Sequence, residues 1–231
     1  MKHMPLFALG FLVTSTIAQA TVTTFTSSAD FFAANPDATL IENFEDSPAA
    51  LRNAAYPSYT GPSSGITFTA ISAYPFTPNV FLDSPGHTDV ASDLAPTTSV
   101  MLAATGNEDW IATLASPTNS IGFDVFLNYW PLTITFFSGS NLVGTIYFDP
   151  SDDGTHLAFA GINSTDPITS FHWQATNGEY LDTGIDNIYA GPLSAVPEPS
   201  SWAMMMLGFG VLGGAARWRK KRHLLKPMSI K

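Results

Sequence analysis

Four glutamates, Glu42, Glu45, Glu108 and Glu179, are the side chains that could supply a carboxylate pair for hydrolysis. Such a pair needs two carboxyls facing each other across one cleft. The spacing of these four places no two of them together. The histidines between Thr21 and Val196 are His87, His156 and His172. Each stands alone, with no H-E-x-x-H run to hold a zinc ion. His172 alternates with Phe171 and Trp173, which places it on the outward side of a strand or against a satisfying partner. The chain has no cysteine, which removes disulfides, thiolate metal sites and thiol nucleophiles together. Asp149-Pro-Ser-Asp-Asp-Gly154 is rich in acids but lacks the spacing and terminal Glu of an EF-hand loop, and reads as a hairpin turn. Tyr129 and Trp130 precede Pro131 between two apolar runs. They are the best candidates for exposed rings on which a sugar could stack. Trp110 and Trp173 alternate with apolar neighbours and belong in a core.

The elements around these residues are short and alternating. Ile66–Ala70, Asp109–Ala115, Ile121–Leu127, Leu132–Phe137, Leu142–Phe148, His156–Ala160, Ile168–Gln174 and Ile185–Tyr189 read as strands. Turn residues separate them at Ser138–Asn141, Asp152–Gly154 and Asn177-Gly178. One helix is expected over Ser28–Ala34, capped by Ser27 or Ser28 and stopped at Asn35-Pro36. Residues 72–100 are broken by prolines and read as a long surface loop with short strands. Strands at this spacing imply an all-β, antiparallel sandwich. Thr67/Thr69 and Thr133/Thr135 are two i, i+2 pairs without a longer T-x-T ladder, so they read as solvent-facing strand residues and not as an ice-binding plane.

Charge is distributed unevenly. Between Thr21 and Val196 stand 18 of the 19 acids and only one base, Arg52, a formal charge of 1 − 18 = −17. That excludes nucleic acid as a partner, since phosphate binding needs cations. It favours cations and a hydrated surroundings. The richness in Phe, Ile, Leu, Val, Trp and Tyr excludes disorder.

Both ends carry export signals. Leu6–Val13 is an apolar run after Lys2 and His3, and Ala18-Gln-Ala20 has the A-x-A form of a cleavage site, so residues 1–20 read as a signal peptide. At the other end Val196-Pro197-Glu198-Pro199 precedes an apolar run, Trp202–Ala216, and then Arg217-Trp-Arg-Lys-Lys-Arg222. The run is fifteen residues, short for a bilayer that takes roughly 20. Trp202 and Trp218 sit where rings favour the interface, and the basic cluster should stay cytoplasmic. This order resembles the PEP-CTERM sorting signal of Gram-negative bacteria, also catalogued as an ice-binding protein C-terminal domain. The resemblance implies an exosortase-type processing enzyme as partner, transient anchoring in the inner membrane by a single C-terminal transmembrane helix, and cleavage near the Pro-Glu-Pro. The organisation expected is thus signal peptide 1–20, β-sandwich 21–190, linker 191–200 and sorting anchor 201–231.

The strand order resembles that of many exported domains with this tail, through Leu40–Asp46, Ile121–Val125, Pro167–Trp173 and Gly184–Ile188. It also resembles the jelly-roll plan of carbohydrate-binding modules, in which first and last strands lie side by side and their acids help hold a structural calcium. Carried over by position, Glu45 is the first-strand acid and Asp186 the last-strand acid. Calcium wants six to eight oxygens, and acids from opposite chain ends would tie the sandwich shut. The function expected is a non-catalytic surface or extracellular-matrix protein that associates with exopolysaccharide. The alternatives are a polysaccharide-active hydrolase or lyase, and an ice- or surface-binding protein; a flat Thr-lined face would favour the last.

Overall fold

A computed structural model describes residues 20–52, 54–72, 78–84, 99–104, 108–127, 131–149, 156–175 and 183–192. The chain divides into two compact units, Met1–Leu193 and Ser194–Lys231. The second unit lies outside the described residues. So do the leader to residue 19, Tyr129, Trp130, the Asp152–Gly154 turn and Asn177-Gly178.

The first unit is antiparallel β with one helix, as its alternation implies. Its strands are β1 (Val22–Phe25), β2 (Thr39–Glu42), β3 (Ala55–Tyr56), β4 (Ser58–Thr60), β5 (Thr67–Ser72), β6 (Val80–Asp83), β7 (Met101–Ala104), β8 (Glu108–Leu127), β9 (Leu132–Ser138), β10 (Asn141–Phe148), β11 (His156–Ala175) and β12 (Gly184–Ala190). Helix α1 spans Ser28–Ala34. Ser27 Oγ accepts from the Asp30 N–H at 3.4 Å, capping it as expected. Asn35 Nδ2 donates to the Phe31 carbonyl at its far end, and Pro36 follows.

The two long strands decide the architecture. Asp109–Ala115 and Ile121–Leu127 were expected as separate strands, as were His156–Ala160 and Ile168–Gln174. Each pair is instead one 20-residue strand, β8 and β11. Their pairing shifts register between Asn163 and Ile168 and again between Ile168 and Ser170. Pro117 and Pro167 stand at these irregularities, where a missing N–H costs no ladder bond. Strands that change sheets do so through such bulges. The first half of β8 pairs with β5 and with the second half of β11, giving a sheet ordered β10-β9-β11-β8-β5-β4. The second half of β8 pairs with β12 and with the first half of β11, to which β1 adds. β12 continues that second sheet to β7 and β6, and to β2.

The two halves face each other across an apolar core. Trp110 and Trp173 stack at 4.9 Å, and Phe123 of the second sheet stacks on Phe171 of the first at 5.0 Å. Phe44, Phe68, Phe136 and Leu82 fill the rest. Within residues 72–100, expected as a surface loop with short strands, Val80–Asp83 is such a strand but is buried along its whole length between β3 and β7. Its four residues Val-Phe-Leu-Asp are too short to announce a strand by periodicity, and burial on both faces removes the alternation.

The outer side of the second sheet is covered by α1. Gly122 and Gly161 pair directly across β8 and β11. A Cβ at Gly161 would stand 2.7 Å from Phe31 Cδ2, and one at Gly122 would stand 2.6 Å from Phe159 Cζ. The two missing side chains make the seat for the Phe31 and Phe159 rings, which lie 5.4 Å apart.

Candidate functional site

The two acids expected to hold calcium do come together. β2 pairs with β12, with Ile188 opposite Glu42, so the two ends of the domain lie side by side. Glu45 is not on the strand but in the turn just after it. Asp186 sits on β12 directly opposite Asp124 of β8. The next residue, Asn187, takes φ of 45°, a left-handed conformation that Asn tolerates better than most. That kink shifts the register between Asp186 and Tyr189 and turns the Asn187 amide onto both carboxylates. Asn187 Nδ2 donates to Asp124 Oδ2 at 2.9 Å and to Asp186 Oδ2 at 3.4 Å. The Asn187 N–H donates to Asp186 Oδ1 at 2.7 Å. Residues 99 and 100 close the group: the Ser99 hydroxyl donates to Asp186 Oδ2 at 2.5 Å, and the Val100 N–H donates to Glu45 Oε1 at 2.7 Å.

Asp186 is 1% exposed. Burial pushes its carboxyl up to about 6, against the Ser99 and Asn187 hydrogen bonds, and the charges of Asp124 and Glu45 add to the push. Burial raises Asp124 also, while its Asn187 bond lowers it. Arg52, the domain's one base, anchors the Glu45 turn, donating to the Glu45 carbonyl at 2.6 Å and the Ser47 carbonyl at 3.3 Å. These oxygens do not form a calcium cage as they stand. Each acid already accepts hydrogen bonds from the protein, and among the described residues no three acid or histidine side chains converge as a metal-binding group.

The described glutamates among those considered for hydrolysis have separate structural duties. Glu42, 1% exposed, accepts from the Phe44 N–H at 3.0 Å and from the Ser64 hydroxyl at 2.9 Å. Glu108 accepts from the buried Thr183 N–H at 2.8 Å. Glu179 and His87 lie outside the described residues. One pattern was overlooked in the sequence: Gly61-Pro-Ser-Ser-Gly65 has the spacing G-x-S-x-G. A nucleophile elbow joins a strand to a helix; this segment joins β4 to β5 as a tight turn. Gly65 donates to the Gly61 carbonyl, and Ser63 Oγ donates to Asp46. The 450 Å³ cavity beside it, lined by Leu40, Ser63, Ser64, Leu114 and Thr118 among others, has no titratable side chain on its wall among the described residues.

The larger feature missed by the sequence is the outer, part-exposed face of the first sheet. Inward Leu132, Ile134, Phe136, Trp110, Phe171 and Trp173 are all buried, so the residues between them point out. The register aligns these across strands. One row runs Thr145, Thr135, His172, Ile111, Thr69 and Ser58, from β10 to β4. The row on one side is Tyr147, Thr133, Gln174 and Asp109. On the other side it is Leu142, Phe137, Ser170, Thr113, Thr67 and Thr60, apolar at the β10 end and hydroxyl-bearing beyond. The two threonine pairs noticed in the sequence thus stand on one plane, separated by β11 and β8. His172, expected to face outward or to meet a satisfying partner, is hydrogen-bonded through Nε2 to Asp109 Oδ1. Thr60 and Thr67 bond through their hydroxyls at 3.0 Å. Of the 18 acids in the domain, Asp109 alone stands on these three rows. What linked the rows was pairing between strands far apart in sequence, and no local pattern encodes that.

Residues 195–221 match the model of the PEP-CTERM protein-sorting motif, the segment that includes Val196-Pro197-Glu198-Pro199. No curated protein matches the chain. Among solved structures, a variant of a family 29 carbohydrate-binding module superposes with a TM-score of 0.33 at 14% identity, covering 70% of this chain and 98% of that one. Another variant, complexed with mannohexaose, gives 0.31 at 14% identity over 76% and 96%. A third, complexed with cellulohexaose, gives 0.30 at 15% identity over 70% and 96%. Superpositions this loose carry no argument about this chain. The sorting motif does: this is an exported protein that carries the PEP-CTERM protein-sorting motif and is sorted by way of the membrane.

Proposed function

We propose that the protein is a non-catalytic component of the cell surface or extracellular matrix, a jelly-roll-type sandwich that associates with exopolysaccharide. An exosortase-type enzyme processes its tail after a transient stay in the inner membrane. The observation that carries the proposal is the pairing of a sorting motif with a broad, part-exposed, hydroxyl-bearing sheet face on the exported domain. Hydroxyl and amide groups on such a face both donate and accept, as the hydroxyls of a sugar require. The side-by-side placement of β2 and β12 supports the jelly-roll plan.

Calcium enters this proposal as an exchangeable ion at Glu45 and Asp186. Their shared negative field attracts it, but the Ser99 and Asn187 donors must first be displaced. Binding is therefore expected in the weak range of extracellular modules, about 10⁻⁴–10⁻³ M.

The test is co-sedimentation of the full chain, held in detergent, with the exopolysaccharide of the producing cell, in calcium and in EDTA. Pelleting in both conditions supports polysaccharide association through the sheet face. Pelleting abolished by EDTA moves the contact to the acid cluster. No pelleting in either condition refutes the proposal.

A further inference from the structure

Resting on the matrix proposal, we infer that the partner of the outer sheet face is an uncharged polysaccharide, and that the row Tyr147, Thr133, Gln174 and Asp109, with neighbouring His172, is its binding track. The domain carries a formal charge of −17, so an anionic polymer approaching it is repelled. To overcome that repulsion a site would need cations. The sole base of the domain, Arg52, is committed to the Glu45 turn, on the other sheet's side of the fold. On the face itself the imidazole of His172 is held by the Asp109 carboxylate, so even when protonated it adds no net positive charge to the pair. A cationic polymer would be drawn to acids, and among the described residues Asp109 is the acid on these rows, where it is already engaged by His172. The face has instead the chemistry that suits a neutral polyol. Thr133 and Gln174 offer donors and acceptors, and Asp109 offers strong acceptor oxygens.

Tyr147 gives the track a beginning. It lies at the β10 end of the row, directly opposite Thr133, and is 56% exposed, among the most exposed large apolar side chains described. A ring standing beside hydroxyl and amide groups presents an apolar body with a polar tip, the combination that a sugar's two faces engage. The strands stand about 4.8 Å apart, so the row from β10 to β8 spans roughly 14 Å over four strands. That is an extended track, which fits a chain polymer better than a single sugar. The same features disfavour an ice plane. The sheet is twisted as all such sheets are, and Tyr147, Gln174 and the His172–Asp109 pair interrupt the threonines with bulky groups of unequal height.

The experiment is affinity gel electrophoresis of the full chain in a non-ionic detergent. The gels contain hydroxyethyl cellulose, galactomannan or dextran as neutral polymers, and alginate or polygalacturonate as anionic ones. Retardation is expected in at least one neutral gel and in neither anionic gel. Tyr147→Ala and Gln174→Ala should each weaken it about tenfold or more, with near-ultraviolet circular dichroism unchanged. Leu157→Ser, at an exposed position on the first half of β11 and off this face, should not weaken it. Retardation only by anionic polymers, or neutral retardation indifferent to both face variants, overturns the inference. Ice shaping without retardation by any polymer overturns it in favour of a crystal-surface ligand. If the producing cell's own polymer is bound while every face variant binds it equally, the inference fails and the matrix proposal stands. If that polymer is not bound at all, both fail.

Discussion

Lowering the pH from 7.5 to 5 should stabilise this domain, which is the reverse of ordinary acid behaviour, and Asp186 is the reason. In an unfolded chain its carboxyl titrates near 3.8, and in the fold it titrates near 6. The folded form therefore holds its proton more tightly than the unfolded form. Stability from this group is fully present below the unfolded value and is lost as pH rises through about 6. The difference of about two units amounts to about 3 kcal/mol over the whole range, and about half of it falls between pH 7.5 and 5. Burial is the main cause. The facing Asp124 and the nearby Glu45 act in the same direction, and the Ser99 and Asn187 hydrogen bonds oppose it. Like charges directly opposite on neighbouring strands are unfavourable in any sheet, and here the pair is also shielded from water. Urea unfolding of residues 21–196, followed by near-ultraviolet circular dichroism, would read this as a midpoint higher by about 0.5–1 M at pH 5. The decisive comparison is Asp186→Asn, which cannot titrate. Its slope of stability against pH should flatten over this interval, with the remainder due to Asp124. A wild-type midpoint that falls with pH would refute the reasoning. So would a rise that persists undiminished in Asp186→Asn, because the effect would then belong to the diffuse repulsion of 18 acids.

The two stacked tryptophans should respond differently to loss of their indole nitrogen. Trp173 Nε1 donates to Thr183 Oγ1 at 2.9 Å, whereas Trp110 Nε1 is buried without a partner among the described residues. Denaturant unfolding should show Trp173→Phe costing about 1 kcal/mol more than Trp110→Phe, the value of one buried hydrogen bond; equal losses would contradict the geometry. Gly161→Ala should cost about 1–3 kcal/mol by driving a methyl into the Phe31 and Phe159 rings, and hydrogen exchange should show α1 loosening first. Glu42→Ala removes the acceptor for the Phe44 N–H and the Ser64 hydroxyl. Unfolding should show a loss of about 2–4 kcal/mol, and Glu42→Gln should recover part of it. Isothermal titration with calcium should give weak binding, near 10⁻³ M, that Glu45→Gln or Asp186→Asn removes; binding at micromolar calcium would refute the donor-capped picture of this cluster.

Much of the domain was legible locally. The Ser27 cap, the Asn35-Pro36 stop and the apolar alternation of Ile121, Phe123, Val125 and Leu127 depend on neighbours in the chain, and each element appears where its residues imply. The burial of Trp110 and Trp173 and the outward side of His172 follow from the same alternation, whereas its partner Asp109, 63 positions away, comes from strand pairing. Two departures have separate causes. Asp109–Ala115 and Ile121–Leu127 look like separate strands, as do His156–Ala160 and Ile168–Gln174, but at a sheet corner a broken ladder is what lets one strand, β8 or β11, pass from one sheet to the other. The burial of Val80–Asp83, within a stretch that reads as a surface loop with short strands, is hidden because a strand buried on both faces has no alternation to show.

By itself the sequence determined the export route, the acidity and the β character. A sorting motif is read as a linear segment, net charge is a sum, and strand periodicity repeats every two residues; none of these depends on contacts between distant positions. Tertiary structure alone decided the sites. It brought Asp124 against Asp186 and slid the Asn187 amide between them, which required a kink at one residue and a pairing across 62 positions of chain. It also laid Thr135 beside His172 and Thr69 beside Ile111, making one face from threonine pairs that look isolated in sequence. Register is the physical reason. A slip of one residue in any of these strands would turn its outward side chains into the core, so the face exists only because the packing of Trp110, Phe136, Phe171 and Trp173 holds every strand in place.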